Sequence, residues 1–320
     1  MSLPVPSPAP EIVCVGESMA LITPTGAPLA DADTATLTHA GAEANVAVGV
    51  AASGHRAAWA SRLGDDPRGD RLAGELERRG VELWVERDGD APTGVMFKDP
   101  GVESSAVYYY RRGSAASRMA PGFLDAARLE GVRIVHTTGI TPALSATCLA
   151  MVDALYADAR AAGATVSFDV NHRAALWDAA TARAVYRRLL PEVDIVFAGA
   201  DEAQLVLDQD AEPEQLARRL ADLGPQQAVV KLGAEGCLAV IDGEQHTARG
   251  ITIEPVDTVG AGDAFVGGYL AELAAGREPA ERLATANAAG AFACLSPGDW
   301  EGLPRRSELG LLSATEPVIR

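Results

Sequence analysis

The sequence predicts an α/β fold with a mostly parallel central sheet, helices on both faces, and a small β-sheet lid. Three observations carry that prediction. Short apolar runs alternate with longer amphipathic segments, glycines stop many of these segments, and two stretches interrupt the rhythm with strand-like sequence. Ile12 to Val15 reads as a buried strand ending at Gly16, and Asn45 to Ala52 as an Ala/Val-rich helix stopped at Gly54. Ala57 to Ser61 is the next strand, and Asp70 to Arg79 a helix closed by Gly80. The alternation returns at Ile134 to Thr138, Cys148 to Ala161, Thr165 to Val170, Ile195 to Ala198 and Ala228 to Lys231. The interruptions, Ser18 to Ala40 and Pro92 to Arg112, read as antiparallel strand material that together covers the site. Ligands in such folds collect beyond the carboxyl ends of the strands.

Composition narrows the partners. Of 320 residues, 48% are hydrophobic, enough for a full-sized core in a single domain over residues 11–320. Lysine plus arginine number 27 against 44 aspartate plus glutamate, a net charge of −17. That surface repels phosphate backbones and anionic lipid, so neither nucleic acid nor membrane is the expected partner, and an anionic substrate needs a locally basic pocket. Cys14, Cys148, Cys237 and Cys294 lie far apart with no CxxC pair, and the five histidines show no HxH or HxxxH spacing; a disulfide frame and a protein-bound zinc are both disfavoured. No apolar run is long enough to span a bilayer. Met1 to Pro10 is proline-rich without the charged start and apolar centre of a secretion signal, and reads as a disordered tail; the expected compartment is the cytoplasm. Asp65-Asp66 reads as a turn and helix cap, not a metal site.

The most informative stretch is Asp257-Thr258-Val259-Gly260-Ala261-Gly262-Asp263-Ala264-Phe265, followed at once by an apolar helix running to about Ala275. Gly260 and Gly262 let the backbone turn tightly and approach a ligand closely. The amides of Gly260, Ala261, Gly262 and Asp263 would then face outward at a helix N-terminus, an anion hole for a phosphoryl group in flight. Asp263 sits in the same turn, placed to take a proton from an attacking hydroxyl. The plainer alternative is a glycine-rich loop in which Asp263 merely caps the helix. A dinucleotide-binding reading fails because the third glycine of GxGxxG would fall on Phe265, and no GxxxxGK[ST] occurs anywhere.

Asp257 to Phe265 resembles the C-terminal signature of the ribokinase-like (PfkB) carbohydrate kinases. Gly41-Ala42-Glu43-Ala44-Asn45-Val46-Ala47, with Gly54 and Arg62-Leu63-Gly64-Asp65-Asp66-Pro67-Arg68-Gly69, resembles the N-terminal one. The resemblance spans residues 11 to 303. It implies a ribokinase-like three-layer sandwich with a β-lid, Mg-ATP as phosphoryl donor, and a homodimer through the lids or a dimer of dimers. On the nucleotide side it implies Lys231, Gly233 and Gly236 in the Val229 to Gly236 segment, together with Gly260, Gly262 and Asn287. Glu202 matches the glutamate that helps organise Mg2+, although Gly199 stands where the family has asparagine. Asp257 matches a position that supports a monovalent cation such as K+ in some members.

The sugar side is similar to the 2-keto-3-deoxygluconate kinases of that family. Tyr109-Tyr110-Arg111-Arg112-Gly113-Ser114-Ala115-Ala116-Ser117 and Phe168-Asp169-Val170-Asn171-His172-Arg173 carry this likeness, together with Gly16-Glu17. Gly41, Ala42, Glu43, Asn45, Tyr109 and Asp299 are then implied at the sugar, with Asn171 at the nucleotide. Arg111 and Arg173 are candidates for a sugar-acid carboxylate, which arginine grips through paired hydrogen bonds; Arg173 alternatively faces ATP phosphates. A neutral-sugar kinase of the fructokinase or ribokinase type and a non-catalytic sugar-binding regulator are the competing expectations.

Overall fold

The structure, a computed structural model, describes residues 9–100 and 105–313. β1 (Ile12–Val15) is buried along its whole length, as a strand covered on both faces must be. The chain leaves the core as β2 (Met19–Thr25), returns as β3 (Thr34–Ala40), and re-enters through α1 (Ala42–Ala52). β4 (Ala57–Gly64), α2 (Pro67–Arg78) and β5 (Glu82–Asp88) follow, and a second excursion runs out along β6 (Val95–Pro100) and back along β7 (Ser105–Tyr110). Next come β8 (Ile134–Thr138), α3 (Ile140–Ala143), α4 (Ala146–Ala161), β9 (Thr165–Asp169) and α5 (Ala179–Leu189). β10 (Ile195–Gly199), α6 (Ala200–Leu207), α7 (Pro213–Ala221) and β11 (Gln227–Lys231) continue the alternation. The hairpin β12 (Gly236–Ile241) and β13 (Glu244–Arg249) precedes the closing pair α8 (Ala261–Ala274) and α9 (Pro279–Ala293).

Nine strands form one sheet in the order β13-β12-β11-β10-β9-β8-β1-β4-β5. Every pairing from β11 to β5 is parallel, and only the β11-β12-β13 edge is antiparallel. The chain winds outward from β1 in one direction and from β8 in the other, so the β1–β8 boundary is the switch point beside which such folds bind ligands. Alternate residues of each strand enter opposite cores. Val13, Val15, Val196 and Ala198 pack with α4, α5, α6 and α7, while Ile12, Cys14, Ile195 and Phe197 pack with α1, α2, α8 and α9. The result is the three-layer sandwich that the resemblance implies.

The two excursions pair with each other as a four-stranded sheet, β3-β2-β6-β7. One feature departs from the sequence reading: the β2–β6 pairing at its centre is parallel, not antiparallel. β2 and β6 both run outward from the carboxyl end of the main sheet, while β3 and β7 return, so two antiparallel hairpins meet along their outbound strands. Met19, Leu21, Ala40 and Met96 give this sheet its own small core.

Caps account for the helices that begin earlier than periodicity alone implies. Asp66 accepts hydrogen bonds from the amides of Arg68 and Gly69 with Pro67 in the first turn, so α2 starts at Pro67 and Asp66 is the cap it was read to be. Ser145 caps α4 in the same way through Cys148 N. Residues 1–8 of the expected tail and residues 101–104 of the expected lid segment lie outside the described residues; Pro10 is already buried, and Arg56 Nε donates to Ala9 O.

Candidate active site

Asp263 lies in the first turn of α8, behind Gly260, whose φ of 75° is the left-handed conformation glycine adopts without strain. A Cβ at Gly260 would collide with the Asp299 carbonyl, so the turn and the C-terminal segment are held against each other there. Of the first-turn amides of α8, Ala261 N donates to Thr258 O at 3.4 Å, while those of Gly262 and Asp263 have no intrahelical acceptor by helix geometry and are left for a ligand. α1 and α8 cross where Gly49 meets Gly267; a Cβ at Gly267 would sit 3.2 Å from Val46 O. That close approach brings Asn45 from α1 to Asp263. Asn45 Nδ2 donates to Asp263 Oδ2 at 2.7 Å and to Asp299 Oδ2 at 3.2 Å, and Asn171 Nδ2 donates to Asp263 Oδ1 at 3.3 Å. Asn171 itself follows β9 with φ 34°, a conformation asparagine tolerates better than most residues. Asp299 is fixed through its neighbour Trp300, which is buried, stacks with His39 at 5.5 Å, and carries the Arg79 guanidinium at 5.3 Å.

Burial, with the Asp169 and Asp299 carboxylates nearby and against the opposing Asn45 hydrogen bond, pushes Asp263 up to about 7. Burial likewise raises Asp299 to about 6. A carboxylate that titrates near neutrality is a competent proton acceptor, because both of its states are accessible at working pH.

A cleft of about 450 Å³ opens on the other side of the same turn. Lys231, Gly233, Gly236, Thr258, Ala261, Gly262 and Asn287 line it, alongside an apolar wall of Ile251, Ile253, Pro255, Phe265 and Ala291. The structure therefore brings the expected nucleotide-side residues of the later chain together. The apolar wall was not singled out from sequence, although Ile251-Thr252-Ile253 has the alternation of a half-buried strand. Asn287 does not offer its amide nitrogen freely: Nδ2 donates to Ala248 O and Arg249 O, both at 3.1 Å. Lys231 Nζ bonds both oxygens of Asp169, at 2.9 and 2.7 Å, beneath Gly262. Burial works against the lysine charge, but Asp169 and Glu202 outweigh it and raise its pKa, so the ammonium persists. Glu202 Oε2 accepts from Gly199 N and Oε1 from His172 N, tying the carboxyl ends of β9 and β10 together.

Several expected sugar contacts are placed differently. Glu43 is corrected: its carboxylate is wholly buried where Gly16 lacks a Cβ and braces α1 against Thr138 and Thr141 through Oε1, a structural place and not an open sugar contact. Gly41 and Ala42 open α1 beside Ser18, at the base of the lid. Tyr109 lies opposite Met96 and therefore shares the lid face that packs toward the body. Arg111 is committed to Glu17, through Nε at 2.7 Å and Nη2 at 2.5 Å, and Ser114 Oγ fills the other Glu17 oxygen at 2.5 Å. Arg173, in contrast, is exposed, close enough to Asp263 for its charge to be felt there, and among the described residues has no side-chain partner.

With Lys98 in place, a bare monovalent cation does not fit on Asp257. Its oxygens receive Lys98 Nζ at 2.9 Å and Val259 N at 3.1 Å, with a further hydrogen bond from the Gly298 backbone, so positive donors surround it in place of oxygen ligands. Lys98 went unnoticed in the sequence because a lone lysine in a strand carries no local signal.

Comparison with known proteins places the chain in a family. The family model for pfkB family carbohydrate kinases matches residues 9–306. The 2-dehydro-3-deoxygalactonokinase of Haloferax volcanii is 35% identical over 94% of this chain and 98% of its own. The 2-dehydro-3-deoxygluconokinase of Bacillus subtilis is 35% identical over 96% and 97%. Among solved structures, the 2-dehydro-3-deoxygluconokinase of Thermotoga maritima superposes with a TM-score of 0.87 at 29% identity, covering 95% of this chain and 99% of that one. No described helix is long and apolar enough to cross a membrane. The chain is an ATP-dependent phosphotransferase and belongs to the pfkB family of carbohydrate kinases.

Proposed function

We propose that the chain phosphorylates the terminal O6 hydroxyl of 2-keto-3-deoxygluconate or its C4 epimer. The observation that carries this reading is the exposed Arg173, two residues after the Asn171 that bonds Asp263: its charge acts on that carboxylate, and among the described residues its side chain has no partner. The relatives named for 2-dehydro-3-deoxy sugar acids support the same substrate class. The sugar lies between the α1 N-terminus and the inner lid face, its carboxylate on Arg173 and Tyr109 beside it. Asp263 withdraws the hydroxyl proton, and Asn45 and Asn171 hold the carboxylate in line. The first-turn amides of α8 receive the charge that develops on the transferring group, with Lys231 beneath them. ATP occupies the cleft lined by Gly233, Gly236 and Asn287.

Magnesium fits this site indirectly. Each Glu202 oxygen already accepts one backbone hydrogen bond and keeps lone-pair capacity for a metal-bound water. When bound, the ion neutralises phosphate charge. The outer lid face, where Leu37, Tyr108 and Tyr110 are exposed, supports a homodimer through the lids.

One observation favours a neutral sugar: Arg111, the second expected carboxylate ligand, is already spent on Glu17. Coupled ATP turnover on 2-keto-3-deoxygluconate, its C4 epimer, fructose and ribose decides between them. The expected result is turnover on the acids alone; turnover confined to fructose or ribose overturns the carboxylate reading and leaves the kinase intact.

A further inference from the structure

We propose that Lys98 is the resident cation of the Asp257 site, a lid-borne ammonium that latches the lid to the anion-hole turn and makes the kinase independent of potassium. The inference rests on the kinase activity and not on which sugar is used. Lys98 stands on β6 two residues from Met96, so it shares the inward face of the lid. Its Nζ reaches Asp257 Oδ2 at 2.9 Å across 159 residues of sequence, and Asp257 is the first residue of the loop that ends in Gly260 to Asp263. Lys98 and Asp257 side chains retain only 23% and 20% of their exposure, unlike the solvated pairs that contribute little to proteins. The same ammonium acts on the Asp299 carboxylate in the sugar site, so its charge is felt on both sides of the cleft mouth.

Three properties make Asp257 a seat for a tethered ammonium. Val259 N holds its Oδ1 at 3.1 Å and so fixes the carboxylate with Oδ2 turned to Lys98. The ammonium supplies the single positive charge that potassium would bring. It also arrives with the lid, so the turn is completed only when the lid lies over the sugar, which ties phosphoryl transfer to exclusion of water. Lys98 is thus a positioning residue, acting on the turn through Asp257.

The test compares wild type and Lys98→Met in potassium chloride and in tetramethylammonium chloride at equal ionic strength, using whichever sugar the wild type phosphorylates. Wild-type turnover should agree within about twofold between the salts, while Lys98→Met should lose about tenfold or more in tetramethylammonium and recover in potassium. ATP hydrolysis without sugar should rise in the variant, since water gains access. Melting temperature gives a second reading that needs no substrate: potassium should raise it for Lys98→Met and not for wild type. Potassium activation of wild type, or a variant equally active and equally stable in both salts, overturns the proposal. If wild type phosphorylates no sugar offered, the substrate reading fails separately and the melting comparison still decides this one.

Discussion

The floor of the site and the base of the lid handle buried carboxylates in opposite ways. On the floor, Asp263 and Asp299 are hydrogen-bonded by side-chain amides, and burial leaves them titrating at about 7 and about 6. At the lid, Glu17 is paired with Arg111 and Ser114, and Asp257 with Lys98. An amide orients a carboxylate without neutralising it, so the floor keeps charge available for chemistry. A cation neutralises and pins it, so the lid uses charge for position. Carboxylate next to amide marks the proposed reactive pair here, and carboxylate next to ammonium or guanidinium marks a joint at the lid; Asp169 with Lys231 is the exception on the floor.

The sharpest way to break that comparison is Asp263→Asn, which keeps shape and removes the proposed base. Turnover should fall by about a thousandfold with ATP binding retained, measured by steady-state rates and nucleotide titration. The same variant should be more heat-stable than wild type in a pH-dependent way. The folded-state pKa of Asp263 is raised, so the stability its protonated form confers is present at acid pH and lost as pH rises from its ordinary 3.8 through about 7. Asparagine cannot ionise, so the gain in melting temperature should grow across that window and level off above it. A variant of wild-type turnover, or one whose gain shrinks with rising pH, would remove the floor from its reactive role.

Glu17→Gln tests the joint. Leaving the Arg111 guanidinium buried without its carboxylate should cost about 3 kcal/mol of stability by denaturant unfolding. The pH dependence of turnover should stay unchanged, because no floor residue is touched. A shifted pH profile would mean that the two regions are not separable.

Asn45→Ala has the smallest expected effect and sharpens the comparison most. Wild-type kcat/KM should rise with pH to a plateau above about 7, as Asp263 ionises. Loss of the Asn45 amide, which favours the ionised form, should move that limb upward by about one pH unit and lower activity at neutrality about fivefold. An unmoved limb would mean that the amide orients nothing.

Much of this was legible before the structure. Local rules sufficed for the Gly260 to Asp263 turn, because the turn and the helix start lie within one nonapeptide. They sufficed for the Asp66 cap and for the strand–helix alternation as well. Pairings across the fold were not legible. Glu43 looked like a ligand contact because it sits in a glycine turn, yet the missing Cβ of Gly16 swallows its carboxylate. Arg111 looked free because nothing in its own segment announces Glu17, and the parallel β2–β6 pairing depends on where both strands leave the sheet. Local sequence specifies which group is present; only tertiary placement specifies what it is already bonded to.

The shared amide of Asn45 has a further consequence for how the enzyme comes into being. Its partners lie 218 and 254 residues later in the chain. During synthesis, the first half of the sheet and the whole lid precede Asp263 and Asp299, so the proposed site is completed only when the last helices join the chain that already carries Asn45.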